Sequence, residues 1–347
     1  MFARKNIQKK VIPARITGLS LFVLVVLLLG SCAVTGAPPE ETSVNENLPA
    51  EVFQEDEDNQ VFLPQVSGGN PTDQIDEPEI FDGERAYQDV LTQLDFGPRV
   101  VGSEAHQQFL DWAASELVDT GWTVELQETT MLEHPIKNLS AKRTEASGKP
   151  VVVIGAHYDS RMLADQDPDP EKRDEPVPAA NDGASGTAIL LELARILPEN
   201  LNVDIWLVFF DAEDNGNIPG WDWILGSRAF VDALEITPEA AVIVDLVGDA
   251  DLNIYKERTS NQELTSEIWS KASELGYSQF INALKYSVLD DHTPFLQAGI
   301  PAVDIIDFDY PYWHTTQDTA DKVSAESLEA VGTTVAAWLA EKYPPIE

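Results

Sequence analysis

Apolar residues recur along this chain with two different spacings, and each spacing predicts a different kind of element. A spacing of three to four residues places apolar side chains on one face of a helix. It predicts helices over residues 87–94, 109–118, 187–197, 264–275 and 328–339. Continuous apolar runs predict strands over residues 151–157, 204–211, 241–248 and 300–306. The fold class is therefore predicted to be α/β, a three-layer αβα arrangement whose mostly parallel mixed sheet has helices on both faces.

Acidic residues and a histidine fall at the carboxyl ends of these predicted strands. His157 ends the first strand and Asp159 follows it, the pair Glu213-Asp214 follows the second, and Asp245 lies near the end of the third. In a parallel α/β sheet the ligand crevice lies beyond this edge. These side chains are therefore expected to lie close together in space.

Two further candidates lie next to predicted helices. Asp182 precedes the helix that begins near Thr187, where an aspartate is often only a helix cap. His314 stands in the segment Trp313-His314-Thr315 ahead of the last helix. Both interpretations of Asp182, cap and metal ligand, stay open on this pattern.

The residue types at these positions are those that bind zinc. His157, His292 and His314 fall at strand ends or in loops near several carboxylates, and a neutral imidazole with two or three carboxylates suits Zn²⁺. In the pair Glu213-Asp214, one carboxylate can bind the metal while the other moves protons. The alternative is a solvated turn, as expected in so acidic a chain. A lone histidine or aspartate in these places would more often be an ordinary core or surface residue. The presence of several such residues at successive strand ends favours a metal site.

The charge of the chain excludes one class of function. It has 22 Lys and Arg against 60 Asp and Glu, a formal net charge of −38. Nucleic-acid binding needs clustered positive charge, so a nucleic-acid partner is excluded. Cys32 is the only cysteine, which rules out an intramolecular disulfide and a thiolate zinc cluster.

The first 32 residues have the pattern of an export signal. Residues 1–32 hold five basic residues and no acidic one, and they include an apolar run over residues 19–30. A run of that length is typical of a secretory signal, whereas a spanning helix needs roughly 20 apolar residues. The ending Leu29-Gly30-Ser31-Cys32 resembles a bacterial lipobox, which predicts a signal peptide over residues 1–31 and lipidation of Cys32. An uncleaved anchor and a plain secretory signal are the alternatives. Several acyl chains on Cys32 would anchor the exported protein at the outer face of a bacterial membrane.

A proline-rich acidic stretch follows. Residues 33–78 contain eleven acidic residues, no basic residue and six prolines. Such a composition cannot bury enough apolar surface to offset its ordering entropy. We therefore expect residues 32–78 to be a disordered tether, and residues 79–347 to form the catalytic domain.

Short motifs occur along the chain in a characteristic order. They read HYDS, ANDGASGTA, FFDAED, LGSR, VDLVG, DDHTPFL and YWHTTQDT, and GPRVVGSEAH precedes them. As an ordered set they resemble the superfamily of zinc aminopeptidases and glutaminyl-peptide cyclotransferases, metallopeptidase family twenty-eight. The glutaminyl cyclases are the nearer likeness, because Asp290 precedes an Asp-His pair, Trp313 precedes His314, and Trp221 or Trp223 follows the acidic pair.

The resemblance implies a role for each matching residue. Asp182, Asp214 and His314 would bind one zinc, with Glu213 as general acid and base. His157 and Asp245 match the residues that complete a second zinc site in the aminopeptidases, while in the cyclases the counterpart of Asp245 contacts the substrate amine. Asp290 would assist there, Trp313 would pack on the substrate side chain, and Asp159 would orient His157.

Two activities share this implied site and differ in the nucleophile. In a cyclase the α-amine of an N-terminal glutamine attacks its own γ-carboxamide and releases ammonia, for which one zinc suffices. In an aminopeptidase, water attacks the peptide bond, and a second zinc helps. The partner in both is the N-terminus of a peptide or protein. The third possibility is a catalytically silent, tethered binding lipoprotein.

The chain departs from the cyclase pattern at three places. Asp214 replaces the usual glutamate ligand, which shortens the ligand arm by one methylene unless the backbone moves closer. Ala212 replaces a glycine. The loop over residues 161–178 is acidic, rich in proline and longer than expected.

Overall fold

The computed structural model describes residues 80–143 and 148–346. The predicted signal peptide over residues 1–31, the predicted lipidation site Cys32 and the predicted tether over residues 32–78 lie outside the described residues. So does Glu79, the predicted first residue of the folded domain.

The elements of the described residues alternate between helices and strands. In chain order they are α1 (Gly83–Asp95), α2 (Glu104–Asp119), β1 (Thr123–Met131), β2 (His134–Lys142), β3 (Val151–His157), α3 (Ala184–Ile196), β4 (Asp204–Phe210), α4 (Leu225–Asp232), β5 (Ala240–Asp245), β6 (Ile254–Lys256), α5 (Gln262–Leu275), β7 (Phe280–Leu284), α6 (His292–Gln297), β8 (Ala302–Ile306) and α7 (Ala325–Lys342). All five predicted helices and all four predicted strands are present. Within the described ranges, no helix is both long enough and apolar enough to cross a membrane.

Polar side chains cap four of the longer helices. Asp82, Ser103, Asn261 and Ser324 each accept a hydrogen bond from the backbone N–H three residues later, at the starts of α1, α2, α5 and α7. This bond satisfies one of the backbone donors that a helix leaves unpaired at its first turn. The helix starts are therefore set by residues that the sequence shows directly.

Six strands form the main sheet in the order β1-β2-β4-β3-β5-β8. β3, β4, β5 and β8 run parallel, while β1 pairs antiparallel with β2, and β2 with β4. β6 and β7 make a separate parallel pair. The prediction of a mostly parallel mixed sheet is confirmed.

Alternate side chains of the parallel strands pack into two cores on opposite faces of the sheet. Val152 and Ile154 of β3 belong to a core that includes residues of α1, α2, α3, α5 and α7. Val153, which points the other way, packs in a core with Phe230 of α4 and Phe295 of α6. Helices thus cover both faces, as the three-layer prediction requires.

The hairpin of β1 and β2 is absent from the predicted elements, and its turn explains why. Met131 pairs with His134, which leaves a two-residue turn made of Leu132 and Glu133. Both turn residues have positive φ, 48° and 71°. Such a turn is normally marked in a sequence by asparagine and glycine, and Leu-Glu carries no such mark.

The order of the parallel strands places a crevice at the end of β3. The chain passes from β3 to β4 on one side and then to β5 on the other side of β3. The loops that leave β3, β4 and β5 therefore diverge at the carboxyl edge of the sheet, where open α/β sheets bind ligands.

Candidate active site

The candidate site lies at the carboxyl edge of the sheet, as expected. His157 ends β3, Asp245 ends β5, and Glu213 and Asp214 follow β4. Asp182 lies just before α3, and His314 lies in the loop ahead of α7. The structure brings all of these side chains into one buried cluster.

Asp182, Asp214 and His314 form what we call the first donor set. One donor atom from each lies within 4.8 Å of the others. Nε2 of His314 is 2.7 Å from Oδ1 of Asp214 and 3.7 Å from Oδ2 of Asp182. Among the described residues, Oδ2 of Asp182 and Oδ2 of Asp214 are buried without a hydrogen-bond partner. Because buried unpaired carboxylate oxygens are costly, a divalent cation between them would stabilise both. One imidazole with two carboxylates fits zinc.

His157, Asp182 and Asp245 form a second donor set that shares Asp182 with the first. Nε2 of His157 lies 3.1 Å from Oδ1 of Asp182 and 3.1 Å from Oδ1 of Asp245. Oδ1 of Asp245 also accepts a hydrogen bond of 2.8 Å from the backbone N–H of Leu246. In this set, the side chains are paired with one another through the imidazole.

Burial and like charges shift the pKa values of the cluster. Burial, together with the charge of Asp214, holds the pKa of Glu213 well above its usual value. Burial raises the pKa of Asp214 to about 6. Burial works against the charged form of His157, yet Asp245 and the hydrogen-bonding carboxylates outweigh it and hold the pKa of His157 well above its usual value. The cluster therefore favours a positive charge at this edge, which a proton or a metal cation supplies.

Asp159 holds the turn that carries the acidic pair. Its Oδ1 accepts a hydrogen bond of 2.9 Å from the backbone N–H of Glu213, and its Oδ2 accepts one of 3.3 Å from the backbone N–H of Asp214. Its Oδ1 also lies 3.5 Å from Nδ1 of His157. The residue is thus placed beside His157, as the resemblance implies, but its hydrogen bonds go mainly to the turn after β4.

Asp318 is a supporting residue that sequence reasoning missed. Its carboxylate accepts hydrogen bonds from the backbone N–H groups of Asn181 and Asp182, at 2.9 and 3.1 Å, and from the hydroxyl of Tyr310 at 2.6 Å. Nothing in its spacing separates it from the many solvated acidic residues of the chain. The cap interpretation of Asp182 is wrong, because Gly183 is the N-cap of α3 and no side chain caps that helix.

Three residues of the cluster's loops adopt left-handed backbone conformations that favour glycine. Ala212 has φ 51°, Leu246 has φ 50° and His314 has φ 56°. Such conformations cost roughly 1–2 kcal/mol for a residue with a side chain, and they are held by the surrounding structure. The positive φ at Ala212 is one that glycine adopts readily, which fits the glycine that the resemblance implies at this position.

A cavity of about 210 Å³ adjoins the first donor set. Its wall includes the carboxyl groups of Glu213, Asp245 and Asp290 and the indoles of Trp223 and Trp313. The ring of Trp313 stacks on His314 with centroids 3.6 Å apart, and that of Trp223 lies nearly parallel to His314 at 5.9 Å. The cavity thus combines an apolar wall with a carboxylate wall beside the donor set. Asp290 is buried, and burial raises its pKa well above the usual value.

Two sequence candidates lie elsewhere. Trp221 stacks on His134 at 3.5 Å and does not line the cavity, whereas Trp223 does. His292 belongs to neither donor set. It is buried in α6, where its Nε2 lies 2.9 Å from the hydroxyl of Thr259 and its Nδ1 lies 3.4 Å from Asp304. Its grouping with the other two histidines is corrected accordingly.

Comparison with known proteins agrees with this geometry. A model of peptidase family M28 matches residues 138–339. The crystal structure of Porphyromonas gingivalis glutaminyl cyclase matches with a TM-score of 0.72 and 32% identity, over 76% of this chain and 99% of that one. A glutaminyl-peptide cyclotransferase-like protein of Bos taurus is 24% identical over 283 residues, 70% of this chain and 71% of that protein. Aminopeptidase YwaD of Bacillus subtilis is 28% identical over 209 residues, 55% of this chain and 41% of that protein. The resemblance carried by the motifs and the zinc-aminopeptidase-like fold are confirmed.

Proposed function

The chain belongs to peptidase family M28, and from that premise we propose that it is a zinc-dependent glutaminyl-peptide cyclotransferase. Its relatives are glutaminyl cyclases and aminopeptidases, which supports an activity of one of these two kinds. The observation that carries the choice is the wall of the cavity beside the first donor set, which holds Asp290, Trp223 and Trp313, residues on which the resemblance to the cyclases rests.

The first donor set leaves two buried carboxylate oxygens open to a cation, Oδ2 of Asp182 and Oδ2 of Asp214. In the second set, His157 already bridges Asp182 and Asp245 at 3.1 Å on each side. The imidazole of the first set is paired in the same way, since His314 lies 2.7 Å from Asp214, so each set offers a histidine and two carboxylates to a cation. One metal is enough for cyclisation, because the nucleophile is the substrate's own amine and is delivered by proximity.

Glu213 is the proposed proton carrier. Its side chain lines the cavity, and it belongs to neither donor set. Its backbone is fixed on both sides, since its N–H donates to Asp159 and its carbonyl accepts a hydrogen bond of 2.9 Å from the N–H of Ile224. A carboxylate so fixed can take a proton from the attacking amine and pass it to the departing nitrogen.

Asp245 and Asp290 would bind the substrate's α-amine, and the two indoles would pack on the methylene groups of the glutamine side chain. All four residues line the same cavity. Asp182, Asp214 and His314 would hold the zinc, which when bound supplies Lewis-acid polarisation of the γ-carboxamide. The α-nitrogen forms a bond to the γ-carboxamide carbon, the bond from that carbon to the amide nitrogen breaks, and the nitrogen leaves as ammonia.

An aminopeptidase is the second candidate, because the second donor set is complete. His157 and Asp245 offer atoms within 4.8 Å of each other and of Asp182, where a second cation would fit if it displaced the proton of His157. A catalytically silent binding lipoprotein, by contrast, would make no use of the open carboxylate oxygens of the first donor set. A protein purified without zinc and without turnover would favour that third possibility.

We expect the purified protein to convert a glutamine-initiated peptide to its pyroglutamate form, and to leave a leucine-initiated peptide of otherwise equal sequence intact. Mass spectrometry would detect loss of ammonia from the first peptide and loss of leucine from the second. A glutamine peptide with an acetylated amine is the control, since it lacks the nucleophile. Release of leucine with no loss of ammonia would overturn the cyclase in favour of the aminopeptidase.

In a cyclase that needs one zinc, the variant His157→Ala should keep substantial cyclisation. In a two-zinc aminopeptidase, the same variant should abolish leucine release.

For the part of the chain that precedes the domain, we propose a lipid anchor on Cys32. The support is the basic and apolar leader, the lipobox-like sequence Leu29-Gly30-Ser31-Cys32 and the lack of any other cysteine. The proposal places the domain outside a bacterial membrane, on an acidic tether that keeps it clear of the surface.

Replacing Cys32 by serine should release the protein from the membrane fraction, because no acyl chain can then be attached. Immunoblots of membrane and soluble fractions would measure the distribution. The matched control is Ser31→Ala, which keeps the cysteine and should stay with the membrane. A Cys32→Ser protein that remains in the membrane fraction would rule out the lipid anchor.

A further inference from the structure

A buried arginine in the loop after β3 contacts the turn that carries Asp214. The side chain of Arg161 is 1% exposed. Its Nη1 donates a hydrogen bond of 2.7 Å to the backbone carbonyl of Asp214, and its Nη2 donates one of 3.1 Å to that of Gly216. Nη1 also lies 3.9 Å from Oδ1 of Asp214. The guanidinium thus fixes both the backbone and the charge environment of a residue in the first donor set.

The other edge of the same guanidinium binds Asp165. Nε and Nη2 of Arg161 donate to the two oxygens of Asp165, each at 2.9 Å. Oδ1 of Asp165 in turn faces Nδ1 of His314 at 3.7 Å. The neighbouring backbone N–H of Gln166 donates a hydrogen bond of 3.2 Å to the carbonyl of His314. The arginine therefore reaches the second member of the donor set, His314, through Asp165.

The guanidinium also lies against the cavity wall. Its Cζ is 5.1 Å from the ring of Trp223. Gly216, whose carbonyl Arg161 binds, leaves room for that indole, since a Cβ built there would lie 2.0 Å from Trp223. One side chain thus contacts the turn after β4 and the indole wall directly, and it reaches the loop of His314 through Asp165.

We propose that Arg161 and Asp165 are positioning residues that hold Asp214 and His314 in place for the metal. The proposal rests on the metal site of the proposed function. The aspartate side chain is short, so the position of its carboxylate depends directly on where the backbone of Asp214 is held. The hydrogen bonds of Arg161 to the carbonyls of Asp214 and Gly216 hold that backbone, and the loop over residues 161–178 supplies the arginine. A planar fork is needed, which a lysine ammonium cannot replace.

The test measures zinc affinity directly, by competition with a chromogenic chelator, in purified full-length variants. Arg161→Lys keeps the charge and loses the fork, and Asp165→Asn keeps the shape and loses the charge that faces His314. Substitution of a residue that orients metal ligands typically lowers metal affinity about 10- to 100-fold. Each variant should therefore bind zinc about 10- to 100-fold more weakly. Saturating zinc should restore most of the turnover number, which a general loss of structure would not allow.

Arg173→Lys is the matched control. Arg173 lies in the same loop and donates a hydrogen bond of 2.8 Å to the carbonyl of Asp167, and the contacts described for it do not reach the donor set. Its zinc affinity should equal that of the unmodified protein. If Arg161→Lys fails to fold, the zinc affinity of Asp165→Asn tests the positioning role instead. The Asp165 side chain is 37% exposed, so its substitution disturbs little of the core.

The outcomes separate this proposal from the proposed function. Unchanged zinc affinity in Asp165→Asn, or in a folded Arg161→Lys, overturns the positioning role and leaves the cyclase untouched. Leucine release by the unmodified protein overturns the cyclase, and weakened zinc binding in the variants would still support the positioning role. An unmodified protein that binds no zinc overturns the metal site and the positioning role together.

Discussion

Glu213→Gln should leave the protein folded and able to bind zinc, while its turnover falls by about 10² to 10⁴-fold, the usual cost of losing a general acid and base. Glutamine has nearly the same shape, so the backbone bonds of Glu213 to Asp159 and Ile224 should persist. Its amide cannot accept the proton of the attacking amine. Because Glu213 belongs to neither donor set, the ligands of the metal are unchanged.

Rates with the glutamine-initiated peptide and zinc content should be measured on the same preparation. Glu199→Gln, an exposed glutamate outside the site, is the control for the loss of one negative charge and should keep full activity. A Glu213→Gln protein with unchanged turnover would remove Glu213 from the mechanism of both candidate enzymes. A variant that loses its zinc would mean that Glu213 acts as a ligand instead.

The placement of the site on the fold could be predicted because it depends on few assumptions. Once residues 151–157, 204–211 and 241–248 are identified as parallel strands, the residues at their carboxyl ends must meet at one edge of the sheet. His157, Glu213, Asp214 and Asp245 follow from that rule alone. Their assignment to separate roles needed the resemblance, since spacing does not tell a ligand from a proton carrier.

What escaped prediction depends on backbone conformation and on long-range contacts. The hairpin turn at Leu132 and Glu133 has positive φ at residues that do not favour it, so its sequence gives no turn signal. Arg161 and Asp318 act by hydrogen bonds to backbone groups that are distant along the chain. Such bonds leave no periodic pattern in the sequence. In a chain with 60 acidic residues, a single supporting aspartate also cannot be told from the others by its residue type.

His314→Ala should lower the zinc content of the purified protein to near zero. The variant leaves two carboxylates, Asp182 and Asp214, to replace the hydration shell of the ion, and two such donors are generally too few. The two carboxylates would also face each other without the imidazole that lies 2.7 Å from Asp214. Zinc should be measured by inductively coupled plasma mass spectrometry after gel filtration.

Thermal unfolding gives a second measure of the same loss. A ligand that binds only the native state raises the melting temperature by mass action, so added zinc should raise it in the metal-free unmodified protein and leave that of His314→Ala unchanged. His134→Ala is the matched control, because His134 stacks on Trp221 and lies outside the donor sets. It should keep one zinc and the zinc-dependent rise. A His314→Ala protein that retained stoichiometric zinc and activity would show that the metal is held elsewhere, and the first donor set would have to be abandoned as the metal site.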